Sequence, residues 1–238
     1  GAEQGLIFGS GMAAVSTALL SHLRAGDHVI LQEDLYGGTT NLVVEEFNKF
    51  GIEYSFTKGL KKDDFEVLIK KNTRVIYLET PSNPLMKIVD LEAIAFLARS
   101  KGLITMIDNT FASPINQNPI TFGIDVVIHS ATKYLGGHSD ILAGVVVGSE
   151  KQMNLVFQMA KNLGGSLSDY TVWLLERSIK TLSLRVHAQN QNALELSRFL
   201  QGKSSVDAVY YPGLESHPDH NLAKTQMKGF SGMFSFEL

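Results

Sequence analysis

Short apolar runs along the chain alternate with longer stretches whose apolar residues recur at helical spacing. The runs are GLIF (5–8), HVILQ (28–32), IEYSF (52–56), RVIYLE (74–79), LITMID (103–108), DVVIH (125–129) and LAGVVVGS (142–149). Most are continuously apolar rather than alternating, as strands buried on both faces of a sheet must be. Between them, MAAVSTALLSHL (12–23), NLVVEEFNKF (41–50), DDFEVLIKK (63–71) and DLEAIAFLARS (90–100) predict helices. Asp90 is the expected N-cap of the last, and Gly26, Gly51 and Gly102 the expected closures. The pattern predicts a doubly wound α/β core. From Ser168 to about Leu200 it stays helical for longer than one ordinary helix, which predicts a break near Leu182–Arg185. Beyond it, VDAVYYPG (206–213) and GMFSFEL (232–238) predict strands of a second domain. The expected division is a large domain over 1–180 and the start of a smaller α+β domain over 181–238.

Composition narrows the function. The 238 residues can bury roughly 70–75% of their unfolded surface, enough for a sizeable core. A net charge of −3 and scattered Lys and Arg leave no basic face for nucleic acid. The chain has no cysteine, so it has no disulfide, thiolate nucleophile or Cys-type zinc site, and its seven His lack a zinc-binding spacing. No apolar run approaches the roughly 20 residues a bilayer requires, and residues 1–10 do not resemble a signal peptide, which predicts a cytoplasmic protein with no membrane partner. The opening GAEQG and the closing apolar GMFSFEL suggest ends cut through a fold.

In a doubly wound sheet, ligands bind outside the carboxyl ends of the strands. Polar clusters stand at four such ends: GSGM after LIF, ETPSNP after VIYL, DNT after ITMI, and HSATK after DVVI. GSGMAA (9–14) fits a dinucleotide fingerprint, with Glu33 or Asp34 about 20 residues on for a ribose. It fits equally a glycine turn whose Gly11 and Met12 amides bind any phosphate at a helix N-terminus. Lys133 decides between cofactors. A dinucleotide site needs no lysine at a strand end, whereas pyridoxal phosphate needs an amine to hold as a Schiff base and a carboxylate to keep its ring nitrogen protonated. Asp108 is placed for the second task. Ser130 and Thr132 could join Gly11 and Met12 on the phosphate, and Tyr36 offers a ring to stack on the pyridine. Each residue alone has a bland account: a surface lysine, a turn at Asp108–Asn109, an amphipathic tyrosine, structural His129 and His138. Their convergence at successive strand ends outweighs these.

DVVIHSATKYLGGHS (125–139), with GSGMAA, DLYGGT, ETPSNP and DNTFASP in the same order, resembles the Cys/Met metabolism pyridoxal-phosphate enzymes over the whole chain. The resemblance implies a fold type I, aspartate aminotransferase-like large domain with a seven-stranded mixed sheet. It implies pyridoxal 5'-phosphate on Lys133, Asp108 at the ring nitrogen, Tyr36 stacked on the ring and acting on the leaving group, and Thr110 against the ring. Asn83 would lie near the phenolic oxygen, with Gly11, Met12, Ser130 and Thr132 on the phosphate. It further implies a small amino-acid substrate and a homotetramer of dimers with shared sites. The family's N-terminal arm and the C-terminal arginine that grips a substrate carboxylate lie outside these residues. The implied reaction is γ-elimination or γ-replacement of the cystathionine γ-lyase or γ-synthase type. A sulfhydrylase or cystathionine β-lyase is the alternative, and a Rossmann oxidoreductase or an inactive scaffold a distant one. Gly38, where methionine γ-lyases carry cysteine, disfavours that activity; Asn41, where many γ-enzymes carry arginine, resembles the sulfhydrylases.

Overall fold

The computed structural model describes residues 1–238. In chain order its elements are β1 (Gln4–Phe8), α1 (Gly11–Leu20), β2 (His28–Leu31), α2 (Gly37–Asn41), β3 (Glu53–Phe56), α3 (Lys62–Glu66), β4 (Thr73–Glu79), α4 (Leu91–Lys101) and β5 (Ile104–Asp108). They continue with α5 (Ser113–Asn116), β6 (Val126–His129), β7 (Gly144–Gly148), α6 (Glu150–Leu163), α7 (Asp169–Ile179), α8 (Leu182–Gln201), β8 (Ala208–Tyr210), α9 (His220–Gln226) and β9 (Ser235–Glu237). The first seven strands form one mixed sheet in the order β1-β7-β6-β5-β4-β2-β3. The strands β3, β2, β4, β5 and β6 are parallel, and β7 is antiparallel to both β6 and β1.

The continuous apolar runs are explained by helices on both faces. Val29, Leu31, Val75, Tyr77, Met106, Val126 and Ile128 pack with α1 and Met153 of α6 in one core. The alternate residues Ile30, Ile76, Leu78, Ile107 and Val127 pack with α4 in another. Every second side chain serves each layer, so a polar side chain without a partner in these strands costs stability. The predicted doubly wound α/β class is observed, and its sheet is the seven-stranded mixed one implied by the resemblance.

Several expected boundaries move. Helix α1 ends at Leu20 with Ser21 as its cap, so Gly26 does not close it. Gly26 instead takes φ +87° in the turn before β2, its N–H donating to Gly51 O. The 41–50 stretch continues α2 as a π turn (42–46) and a 3-10 turn (47–50), closed by left-handed Gly51 as expected. The 63–71 helix is confined to α3, because Phe65 is its only buried side chain and Val67 lies 80% exposed. Helix α4 matches, with Asp90 accepting from the Ala93 N–H at 3.0 Å and Gly102 left-handed at its end. Helix α6 was not anticipated, although Ser149 caps it and Met153 and Val156 bury one face. The predicted break falls slightly earlier, between Ile179 and Leu182. The strands expected over 206–213 and 232–238 shorten to β8 and β9, an antiparallel pair joining Ala208 to Glu237 and Tyr210 to Ser235. No helix is long and apolar enough to cross a membrane.

Candidate cofactor site

Sheet topology gathers the predicted residues. Strands β4, β5 and β6 are adjacent and parallel, so Glu79, Asp108 and His129 end them along one edge. Two antiparallel steps through β7 make β1 parallel to β6, so the turn Gly9–Ser10 and the start of α1 emerge on that same edge. The contact is tight: a Cβ added to Gly11 would lie 2.9 Å from Ser130 Cβ and Oγ. Only glycine lets these two backbones approach so closely. Ser10 caps α1 by accepting from the Ala13 N–H at 3.0 Å. The Gly11 and Met12 amides, as first-turn donors, have no partner within the helix.

At the centre, Asp108 Oδ1 accepts from the Thr110 N–H at 2.9 Å and from the Thr110 hydroxyl at 2.5 Å. The same hydroxyl oxygen accepts from the Ser130 N–H at 2.7 Å, tying the end of β5 to the turn after β6. Asp108 is buried and pairs with no cation. Burial raises its carboxyl above the ordinary aspartate value, and the two bonds from Thr110 oppose that rise. A buried carboxylate with one fixed oxygen and no cation suits a cationic N–H donor.

Lys133 is exposed in the turn after β6, its N–H donating to Ser130 O at 3.0 Å. It lies on a cleft of about 750 Å³ whose walls include Phe111, Tyr134, Gln189 and Met233. Arg185 of α8 braces that turn, donating to Tyr134 O at 2.8 Å and Ser178 O at 3.0 Å. Half-exposed Tyr36 sits over Gly38, whose added Cβ would meet the Tyr36 ring at 2.5 Å and Met12 Sδ at 3.0 Å. Asn83 is exposed between the cis Thr80–Pro81 and Asn83–Pro84 bonds and makes no side-chain hydrogen bond. Thr132 lies in the same turn as Lys133. Its hydroxyl accepts from the Ala143 N–H at 3.0 Å and donates to Ala143 O at 3.2 Å, so the turn itself engages it.

The dinucleotide alternative is overturned. The GSGMAA turn follows an edge strand antiparallel to its neighbour rather than a central parallel one. Glu33 is exposed, and Asp34 is ion-paired with Lys87.

Both singled-out histidines hold structure. His138 Nδ1 lies 2.7 Å from Gly136 O. His129 is buried with Nδ1 unpartnered, and burial lowers its pKa from 6.5 to about 4. Its folded pKa is therefore the lower one, so its contribution to stability is intact above 6.5 and is lost as pH falls toward 4. That loss is on the order of 3 kcal/mol. Urea unfolding across this range should show a flatter pH dependence for His129→Asn than for the unmutated chain, and equal slopes would assign acid sensitivity to another group.

Sequence reasoning missed two residues, Glu79 and Gln32. Glu79 opens ETPSNP, and Gln32 closes the HVILQ run just past β2. Both are buried, and a charged residue closing a strand beside Asp108 was the available signal.

The Cys/Met metabolism PLP-dependent enzyme family model matches residues 1–238. Cystathionine gamma-lyase of Bacillus subtilis (strain 168) is 46% identical over 237 residues, covering 99% of this chain and 62% of that protein. Cystathionine beta-lyase of Lactococcus lactis subsp. cremoris (strain MG1363) is 46% identical over 239 residues, covering 100% of this chain and 63% of that protein. Among solved structures, cystathionine gamma-lyase from Lactobacillus plantarum complexed with L-serine gives a TM-score of 0.96 at 42% identity, over 98% of this chain and 61% of that one. The chain thus spans about 62% of the length of the first of these relatives.

The fold is that of fold type I pyridoxal-phosphate enzymes. The chain belongs to the Cys/Met metabolism PLP-dependent enzymes, whose cofactor is pyridoxal phosphate. The residues present fit that group: a free lysine, a buried carboxylate lacking a cation, two unpaired helix amides and a glycine-only approach beside Ser130.

Proposed function

We propose that the chain forms the cofactor-binding part of a trans-sulfuration enzyme acting on homoserine-derived amino acids by γ-elimination or γ-replacement. The observation that carries the reading is the set of Lys133, Asp108 and the Gly11–Ser130 approach along one sheet edge in a chain 46% identical to a γ-lyase. Pyridoxal phosphate, when bound, supplies the electron sink for the charge left at Cα. Lys133 would hold it and, once freed by the substrate amine, take the α-proton and act next at Cβ. Asp108, fixed by Thr110, would keep the proton on the ring nitrogen. Gly11, Met12 and Ser130 would hold the phosphate, with Thr132 in reach only if it gives up Ala143. Tyr36 would cover the ring and protonate the group that departs from Cγ, and Asn83 would approach the phenolic oxygen.

The same reading includes a boundary between domains at 180/181, a cytoplasmic location and a homotetramer of dimers. Exposed Tyr170 and Trp173, stacked 6.0 Å apart on α7, support further burial in an assembly. A β-lyase is the second reading, favoured by the Lactococcus relative at equal identity. Cystathionine offered to the full-length protein separates them. Release of 2-oxobutanoate and cysteine is expected, and exchange of both α- and β-protons of an unreactive amino acid in D₂O. Pyruvate with homocysteine, and exchange at Cα alone, would transfer the assignment to β-chemistry.

A further inference from the structure

The carboxylate of Glu79 has no place in the roles above, yet it sits in the middle of the site. It closes β4 in register with Asp108 on β5. It is buried, and no Lys, Arg or His pairs with it. Burial first, and the neighbouring Asp108 charge second, push its carboxyl well above the ordinary glutamate value, while a bond from the Tyr36 amide opposes the rise. A group so placed costs stability unless its geometry is used.

We propose that Glu79 is a positioning residue: its Oε2 holds the Tyr36 amide, and through it the Tyr36 ring, to the strand end that carries Asp108. The inference rests on the pyridoxal-phosphate reading for its functional consequence, though not for its structural one. The Tyr36 N–H donates to Glu79 Oε2 at 2.8 Å. Tyr36 is the N-cap of α2, so its N–H precedes the helix and α2 itself supplies no acceptor for it. Glu79 is in turn rigid. Its N–H donates to Gln32 Oε1 at 2.9 Å and its carbonyl accepts from Gln32 Nε2 at 2.7 Å. Gln32, fully buried, also donates to Asp34 O at 2.8 Å, fixing the segment that leads into Tyr36. Beyond that segment, the ring lies over Gly38, where no side chain could be added without meeting it. Ring and carboxylate partner thus hang from adjacent residues of one braced pair of strands. A stacking ring displaced by even 1 Å loses much of its effect, which is why such a support is needed.

The test compares Glu79→Gln, which keeps an acceptor oxygen, with Glu79→Met, which keeps the length and removes it. In cofactor-free full-length protein, hydrogen exchange at the Tyr36 amide is expected to quicken about tenfold or more in Glu79→Met and to stay near the unmutated rate in Glu79→Gln. The Glu79 amide, held by Gln32, should be unaffected in both. In loaded protein, Glu79→Met should weaken the circular dichroism of the bound cofactor and lower kcat by roughly tenfold or more with KM little changed, as for lost orientation. Glu79→Gln should restore both to within about threefold. Glu79→Ala carries the same expectation as Glu79→Met if the longer side chain prevents folding. Unchanged Tyr36 exchange in Met and Ala variants, or equal damage in Gln and Met, overturns the proposal. A wild-type protein that binds no pyridoxal phosphate would instead overturn the functional reading and leave the exchange comparison standing.

Discussion

Lys133→Ala is expected to lower turnover by about 10³-fold or more while leaving the fold and its melting temperature almost unchanged. The expectation of an intact fold follows from the turn. It is held by backbone bonds, Lys133 N–H to Ser130 O and Gly137 N–H to Lys133 O at 2.7 Å, and the lysine side chain makes no hydrogen bond or ion pair. Arg185 braces the same turn from α8 through the Tyr134 and Leu135 carbonyls. The loss of turnover follows from chemistry, since Lys58, after β3, stands four strands away from β6 on this edge and Lys87 is already paired with Asp34. Borohydride treatment of the loaded protein should fix cofactor mass on the peptide carrying Lys133 and on none in the variant. Retention of more than about a hundredth of the activity would remove Lys133 from the chemistry.

The parts of this site that could be read from sequence are those set by local pattern. A run with no polar alternation has to be a strand covered on both faces, and the residue that follows such a run lies at a sheet edge; that places Asp108, Ser130 and Lys133. What could not be read depends on which strands become neighbours. Nothing in the spacing of ETPSNP and DNT says that Glu79 and Asp108 lie in register, because that follows from the order β4-β5. The bonds of Thr110 to Asp108 and Ser130, and of Thr132 to Ala143, likewise depend on which strands lie side by side. Helix α3 is shorter than its apolar pattern, since Phe65 is the buried residue of the helix while Leu68 and Ile69 pack against the same core from the turn that follows it.

Asp108→Asn is expected to separate stability from function. In the cofactor-free protein the carboxyl is buried beside Glu79 with no cation, and its folded-state pKa is raised above 3.8. For a raised carboxyl, the neutral form's stabilisation is fully present below 3.8 and is lost as pH rises through the folded value. At neutral pH the unmutated protein therefore bears the cost of a carboxyl held away from its ordinary titration by burial, and the asparagine does not. Its amide oxygen can still accept both bonds from Thr110, so the link to Ser130 survives. Cofactor-free Asp108→Asn should then melt above the unmutated protein at neutral pH, with the difference shrinking as pH falls toward 4. Turnover should move the other way, by about 10²-fold or more, because an amide cannot balance a positive ring nitrogen and its N–H₂ favours the unprotonated ring. Differential scanning calorimetry across pH and steady-state kinetics on the full-length protein measure the two effects separately. A variant that turns over within about threefold of the unmutated enzyme would show that another group holds the ring proton. One that melts no higher at neutral pH would show that the buried carboxylate is compensated by a partner other than Thr110.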